Sequence, residues 1–476
     1  MAANYLHGVE TIEVDRGPRP VRTVKSAVIG LIGTAPIGPV NQTTLTLSEQ
    51  DAAAFGASLP GFTIPQALNA IYDHGAGTVI VINVLDPNVH KSHVSQEALT
   101  LDARTDRVTL AHGAAANLVL TNNTGSTTYV AGTDYRLNAQ TGEITRIRGG
   151  ALAAGATLKA SYDYADPSLI TAADIIGAVN ASGIRTGLQA LKDTYNQFGF
   201  FAKILIAPGF CTQNAVAVEM IAMAEQLDAV SYIDAPIGTT FAQVIEGRGP
   251  NGTINFNTSS DRVRLCYPHV KVYDTTLKAE RLEPLSPRAA GLRAKVDLDK
   301  GFWWSSSNQE LIGVTGVERA LSARIDDPQS EVNLLNEQGI TTVFSSYGSG
   351  FRLWGNRTAA WPTVSHMRNF ENVRRVGDVI NESIRYFSQQ FIDMPINQAL
   401  IDALVESVEG YGRKLIGDGA LVGFKAWFDP ARNPDTELAS GHLLISYRYT
   451  PPPPLERLTF ETEITSEYLT SLKGAQ

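Results

Sequence analysis

Two aspartates and a histidine stand where an α/β protein would place reactive groups. Asp86 and Asp234 close apolar runs of strand length, His269 lies in a third such stretch, and Pro208 and Gly209 turn the chain after a fourth. Ligands of open α/β sheets sit beyond the carboxyl ends of the strands, so this set could hold a metal or relay a proton. The surrounding residues develop neither chemistry. There is no D-x-D pair, H-E-x-x-H helix or G-x-S-x-G elbow, and an aspartate at a strand end is ordinarily a turn former. Gly30, Gly33 and Gly38 suggest a phosphate loop, but Pro36 and Pro39 follow where a helix should open, and no Gly-Lys-Ser/Thr occurs. Cys211 and Cys266 are the only cysteines; without zinc-ligand spacing they read as two buried thiols in a reducing cytoplasm. No catalytic, cofactor-binding or metal-ligating residue is therefore assigned. An α/β enzyme working at the rim near Asp234 and His269 stands as the rival reading.

The charge balance narrows the partners. A net charge of −9 argues against a general nucleic-acid binder. Only 18% of residues are charged, below the usual ~25%, so much of the outside is expected to meet protein. The N-terminus lacks the basic start and apolar run of a secretory signal. The uncharged stretch 27–48 is broken by Pro36, Pro39, Asn41 and Gln42, which rules it out as a span of about 20 apolar residues.

Elements able to position these groups follow from periodicity. Residues 26–33 and 78–85 are apolar on both faces, as strands inside an α/β sheet are, and residues 64–74 between them place Ala67, Leu68 and Ile71 on one helical side. From about residue 90 to 167 short alternating runs are separated by turn residues, the texture of an inserted all-β module. The α/β pattern then resumes, with helices at 184–195 and 216–227 and strands at 203–207, 230–234 and 263–272. Alternating strands and helices imply a mostly parallel sheet. Later, residues 371–391 carry Val373, Val376, Ile380, Ile384, Phe387 and Phe391 on one helical stripe, with Arg374, Arg375 and Arg385 elsewhere. A second helix after Pro395 ends near Arg413 and Lys414, which suit the helix dipole or an acidic partner. Two strands, 422–427 and 443–449, complete an α+β C-terminal part.

Each end of the chain carries a detachable-looking strand. Near the start, Ile12 and Val14 alternate with polar residues before Gly17, Pro18 and Pro20. Near the end, Leu443, Ile445 and Tyr447 alternate with Leu444, Ser446 and Arg448; four prolines, 451–454, follow. Those prolines predict a stiff spacer of about 3.1 Å per residue. Beyond them Leu458, Phe460 and Ile464 form the apolar side of another strand. Such a strand either joins a neighbouring subunit's sheet or folds back on its own domain.

Five stretches in this order, at 5–36, 291–308, 334–343, 350–358 and 449–460, resemble the tail sheath proteins of contractile-tailed phages and phage-tail-like bacteriocins, P2-like phages among them. The resemblance implies a virion-tail or phage-tail-like structural protein, made in the host cytoplasm, with no enzymatic activity and no cofactor. It would polymerise with itself as a helical cylinder around an inner tube and contract to drive that tube through a cell envelope, without itself inserting in the membrane. Baseplate and tail terminator proteins are the other implied partners. The rival within this class is a static tail or capsid component. The implied layout is an arm at 1–25, a discontinuous α/β domain at 26–89 and 168–345, an outward β-rich insert at 90–167, an inner domain at 346–450 and an arm at 451–476. Carried onto this chain, the strand-exchanging arms include Val9, Ile12 and Val14 at one end and Leu455, Leu458, Phe460 and Ile464 at the other. The receiving strand includes Leu443, Ile445 and Tyr447, and Arg413 and Lys414 become the candidate tube contact.

Overall fold

The chain enters its main sheet at β1 (Val28–Gly33) and β2 (Thr78–Asn83), leaves it for an excursion bounded by β3 (Lys91–Thr100) and β4 (Thr157–Ala165), and returns through β5 (Ile204–Ile206), β6 (Val230–Asp234), β7 (Val263–Cys266), β8 (Ile340–Ser346) and β9 (Gly350–Trp354). The computed structural model describes residues 20–469 except 76, 275–277, 347 and 349. The N-terminal arm expected around Val9, Ile12 and Val14 lies outside the described residues.

Six strands in the order β2-β1-β5-β6-β7-β8 run parallel. Antiparallel strands close both edges, Thr44–Thr46 beside β2, and β9 followed by Gln309–Glu310 beside β8. Every residue of β1, β5, β6 and β7 is buried, because helices cover both faces of the sheet. On one face α1 (Thr63–Tyr72) contributes Ile64, Leu68 and Ile71 to a core with Ile29, Leu31, Val79 and Val81. On the other, α2 (Asn214–Leu227) packs Val216, Met220 and Met223 against Ile32, Ile80, Leu205 and Ile233. A further helix, α3 (Leu285–Asp299), shares the first core through Ala289, Ala290 and Leu292. The strand order reverses between β1 and β5, which puts the sheet's crevice at the ends of those strands.

The excursion builds sheets of its own. Strands β3 and β4 pair antiparallel from Lys91↔Ala165 to Thr100↔Thr157, so entry and exit lie side by side, with Asp166 N donating to His90 O at 2.9 Å. Leu99, Leu120, Ile144, Leu158 and Tyr162 make a separate apolar cluster.

The last part packs α4 (Glu371–Ser388) and α5 (Gln398–Gly417) through Val376, Ile380, Phe387, Val408, Tyr411 and Leu415. Strands β10 (Gly423–Phe428) and β11 (Ile445–Thr450) form a two-stranded antiparallel sheet against them. Gly412 makes that contact possible: a Cβ there would lie 2.1 Å from the Phe424 ring.

Several elements differ from the sequence reading. The helix expected at 184–195 is a 3-10 stretch, Gly187–Asp193, followed by one short turn of helix, Thr194–Phe198. The strand expected at 263–272 is two, divided at Pro268, which has no N–H for a ladder. Leu443 does not belong to the receiving strand. Leu444 N and O are bound by the Asn433 side chain, so the ladder starts only at Ile445. Residues 458–464, expected as a strand, form no ladder, since a strand needs a partner and none of the described residues supplies one. The proline spacer starts within the domain, with Pro451 buried and Pro453 exposed.

Candidate assembly interface

The two-stranded sheet offers unpaired edges. Strand β10 pairs only with β11 among the described residues, from Gly423↔Thr450 to Phe428↔Ile445; the Glu409 side chain takes Ala426 N within β10, and the rest of the sheet's outer edges, that of β11 above all, can accept another strand. Two strands alone are marginal in water; here Phe424, Tyr447 and Tyr449 tie the sheet to the helical core, and Tyr447 Oη donates to Asn381 Oδ1 at 2.8 Å. The segment past the prolines carries large apolar side chains in the open, with Leu458 62% and Phe460 80% exposed, and Leu455 and Ile464 exposed as well. An open ladder edge and an unpartnered apolar strand sequence therefore coexist in one chain.

The sheet is held to the main body by charge. Glu371, Arg375, Asp378 and Glu382 follow a 4-3-4 spacing, which aligns them on one face of α4. All four are buried, and each meets an opposite charge from the α/β part. Glu371 takes Arg264 Nη1 at 2.7 Å, Arg375 meets Asp297, Asp378 takes Arg262 Nη2 at 2.9 Å, and Glu382 takes Lys203 Nζ at 2.6 Å. Arg264 is fully buried and its remaining donors reach Thr341 Oγ1 at 2.8 Å, Ser306 Oγ at 2.7 Å and Gly355 O at 2.5 Å. Burial alone would raise the Glu371 pKa, but Arg264, Arg293 and Arg375 overcome it and hold the carboxyl below its ordinary range. At the other end of the stripe burial dominates, pushing Glu382 up and Lys203 down, with their mutual attraction opposing both shifts. Arg375 lies off the apolar stripe of α4, so periodicity of apolar residues alone does not place it. Four charges at helical spacing in a charge-poor chain are the sequence signal of this face.

The rim residues are brought together only in part. Asp234, His269, Pro208 and Gly209 line one cavity of about 310 Å³. Asp86 does not line it; its Oδ1 accepts Asn88 N at 2.8 Å, as a turn former does. The Asp234 carboxylate is already engaged: Ser286 N donates to Oδ1 at 2.9 Å, Ser286 Oγ to Oδ2 at 2.5 Å, and Cys211 Sγ lies 3.5 Å from Oδ2. Burial pushes its pKa up, while His269, Ser286 and Cys211 pull it back. The group thereby satisfies donors in the first turn of α3. At the glycine-rich turn, Thr34 N donates to Thr63 Oγ1 at 3.1 Å and Thr63 N to Thr34 Oγ1 at 3.2 Å, which consumes donors that a phosphate would need.

Arg413 and Lys414 are exposed near the end of α5, where they pair with Glu406 and Asp418, both at 2.5 Å. Arg357 meets Glu456 in an ion pair.

The model of the phage tail sheath protein central domain matches residues 183–359, and that of the phage tail sheath C-terminal domain residues 363–465. A model described only as a protein of unknown function matches 86–174, the excursion. The tail sheath protein of Burkholderia phage BcepMu is 76% identical over 475 residues, 100% of either chain. That of Escherichia phage P2 is 27% identical, over 99% of this chain and 98% of its own. Among solved structures, the contracted helical sheath of the anti-feeding prophage aligns with TM-score 0.59 and 17% identity, over 97% of this chain and 99% of that one. The contracted sheath complex of an extracellular contractile injection system gives TM-score 0.59 and 13% identity, over 98% and 99%; at such identities both speak to the fold.

Proposed function

The chain belongs to the phage tail sheath protein family, and from that premise we propose how its parts assemble and work. It is a structural subunit of a contractile tail, and a non-enzymatic role follows from the family. Copies join as a helical cylinder when the C-terminal segment of one subunit, through Leu455, Leu458, Phe460 and Ile464, adds to an open edge of the β10–β11 sheet of another. The single observation that carries this reading is the coexistence of that exposed apolar segment with the open-edged sheet. Burying Leu458, Phe460 and Ile464 would contribute about 1.5–3 kcal/mol each before ordering costs. The N-terminal segment with Val9, Ile12 and Val14 adds likewise. A head-to-tail contact of this kind that does not close on itself generates an open helix.

The cylinder surrounds an inner tail tube, reached through Arg413 and Lys414, and ends on baseplate and terminator proteins. Contraction drives the tube through a target envelope. Arms that stay paired throughout add little to the energy difference between the two states, so that difference comes from the surfaces between subunit bodies. Synthesis in a reducing host cytoplasm suits Cys211 and Cys266, which are both buried free thiols.

Electron microscopy of the full chain beside a truncation after Thr450 tests the assembly. Hollow cylinders from the first and dispersed particles from the second are expected; cylinders from both would refute the donated arm.

A further inference from the structure

The tetraproline segment is pinned at both ends. Pro451 is buried at the end of β11. Pro452 to Leu455 then line a cavity of about 710 Å³ together with Trp303, Trp304, Trp354 and Asn372. The far end is caught by charge: Arg357 Nε donates to Glu456 Oε1 at 2.9 Å, and its Nη2 to Oε2. A forked guanidinium–carboxylate contact fixes direction as well as distance.

Arg357 is itself immobilised. Its guanidinium lies 3.8 Å from the centre of the Phe370 ring and 4.2 Å from that of Trp361, and Nη1 donates to Asn369 Oδ1 at 2.5 Å. A polyproline rod of about 3.1 Å per residue, held only at Pro451, would swing. Held at Glu456 as well, it has one direction. From Arg457 to Ile464 every side chain is exposed.

We propose that Arg357 and Glu456 form a latch that fixes the direction in which the C-terminal arm leaves its own subunit, so that the segment free to reach a neighbour starts at Arg457 and not at the first proline. The proposal rests on the reading that the arm is donated, but it moves the hinge past Glu456 and so leaves Leu455 with the donor's body, with Leu458, Phe460 and Ile464 as the donated apolar side. The rigid part belongs to the donor's body, and reorientation between subunits is taken up after the latch.

The test uses the full chain with Thr436→Cys and Leu458→Cys, since Cys211 and Cys266 are buried. Spin labels on both report the distribution of distances between arm and body. Glu456→Gln should at least double the width of that distribution. Raising salt from about 0.1 M to about 1 M should widen it with Glu456 intact, because the pair is partly exposed and is screened. Trypsin cleavage after Arg457 should also become several-fold faster in Glu456→Gln. An unchanged width together with an unchanged cleavage rate, in a variant whose circular dichroism matches the parent, overturns the latch. A truncation after Thr450 that still polymerises would instead overturn the donated arm, and the label widths would then judge the latch alone.

Discussion

Replacing Glu371 by glutamine keeps the shape of the side chain and removes one charge from the buried stripe on α4. Arg264 is left fully buried, with Thr341, Ser306 and Gly355 O still accepting its donors but no carboxylate to balance it. Leaving a buried charge uncompensated costs about 3–5 kcal/mol. For a chain of this size, at about 1 °C per kcal/mol, the melting temperature should fall by about 3–5 °C. The assay is thermal unfolding followed by circular dichroism in a variant kept from polymerising by truncation after Thr450. Arg324→Ala is the control, since Arg324 and Asp326 are both well exposed and such a pair is worth at most about 1 kcal/mol. A double change, Arg264→Met with Glu371→Leu, should recover part of the loss because it removes both charges together. If Glu371→Gln costs no more than Arg324→Ala, the ionic stripe does not join the two parts and the reasoning fails.

Acid should act through the same carboxyl. Glu371 is held below its ordinary pKa in the fold, so the unfolded chain, titrating near about 4.3, takes up the proton first. The stabilisation is present above that value and is lost as pH falls through the folded pKa; denaturant titrations from neutral to acid pH should show a smaller loss in Glu371→Gln, and equal losses would contradict it. Gly412→Ala places a methyl 2.1 Å from the Phe424 ring and should cost about 1–3 kcal/mol by overpacking, with cylinder yield falling as β10 is displaced; unchanged melting would count against it. Arg413→Glu with Lys414→Glu should shift stability by no more than about 1 kcal/mol and leave sheath-only cylinders intact while weakening co-sedimentation with the inner tube; unaltered tube binding would remove these two residues from that contact. Replacing residues 91–165 by a short Gly-Ser link should leave a soluble chain that still forms cylinders, and aggregation of that variant would show that the excursion is needed for folding.

Burial leaves a mark on sequence where it is complete. Residues 78–83 and 230–234 are legible as strands because both faces of each are covered, so beyond Thr78 every side chain is apolar or paired. Strand β3 is long, yet much of it faces outward, and its mixture of polar and charged residues carries no such mark. The apolar stripe of α4 was legible from its 3.6-residue period. Its ionic stripe was not, since the partners of Arg375, Glu371 and Asp378 lie 78, 107 and 116 residues away in the chain. Leu443 was misplaced for a similar reason: alternation continues through it, and only the Asn433 side chain ends the ladder there. The arm's composition announced an extended segment, but nothing in four prolines and a glutamate reveals that Arg357, far upstream, holds them down.

The neck of the excursion has a consequence for how such particles diversify. Because His90 and Asp166 are hydrogen-bonded neighbours, whatever is spliced between them closes on the same two residues, and the sheet beneath is presented with the same ends whether the cargo is long, short or replaced. Recombination can therefore exchange the cargo as one cassette, and a foreign domain grafted at this point would be carried without altering the register of any strand in the body.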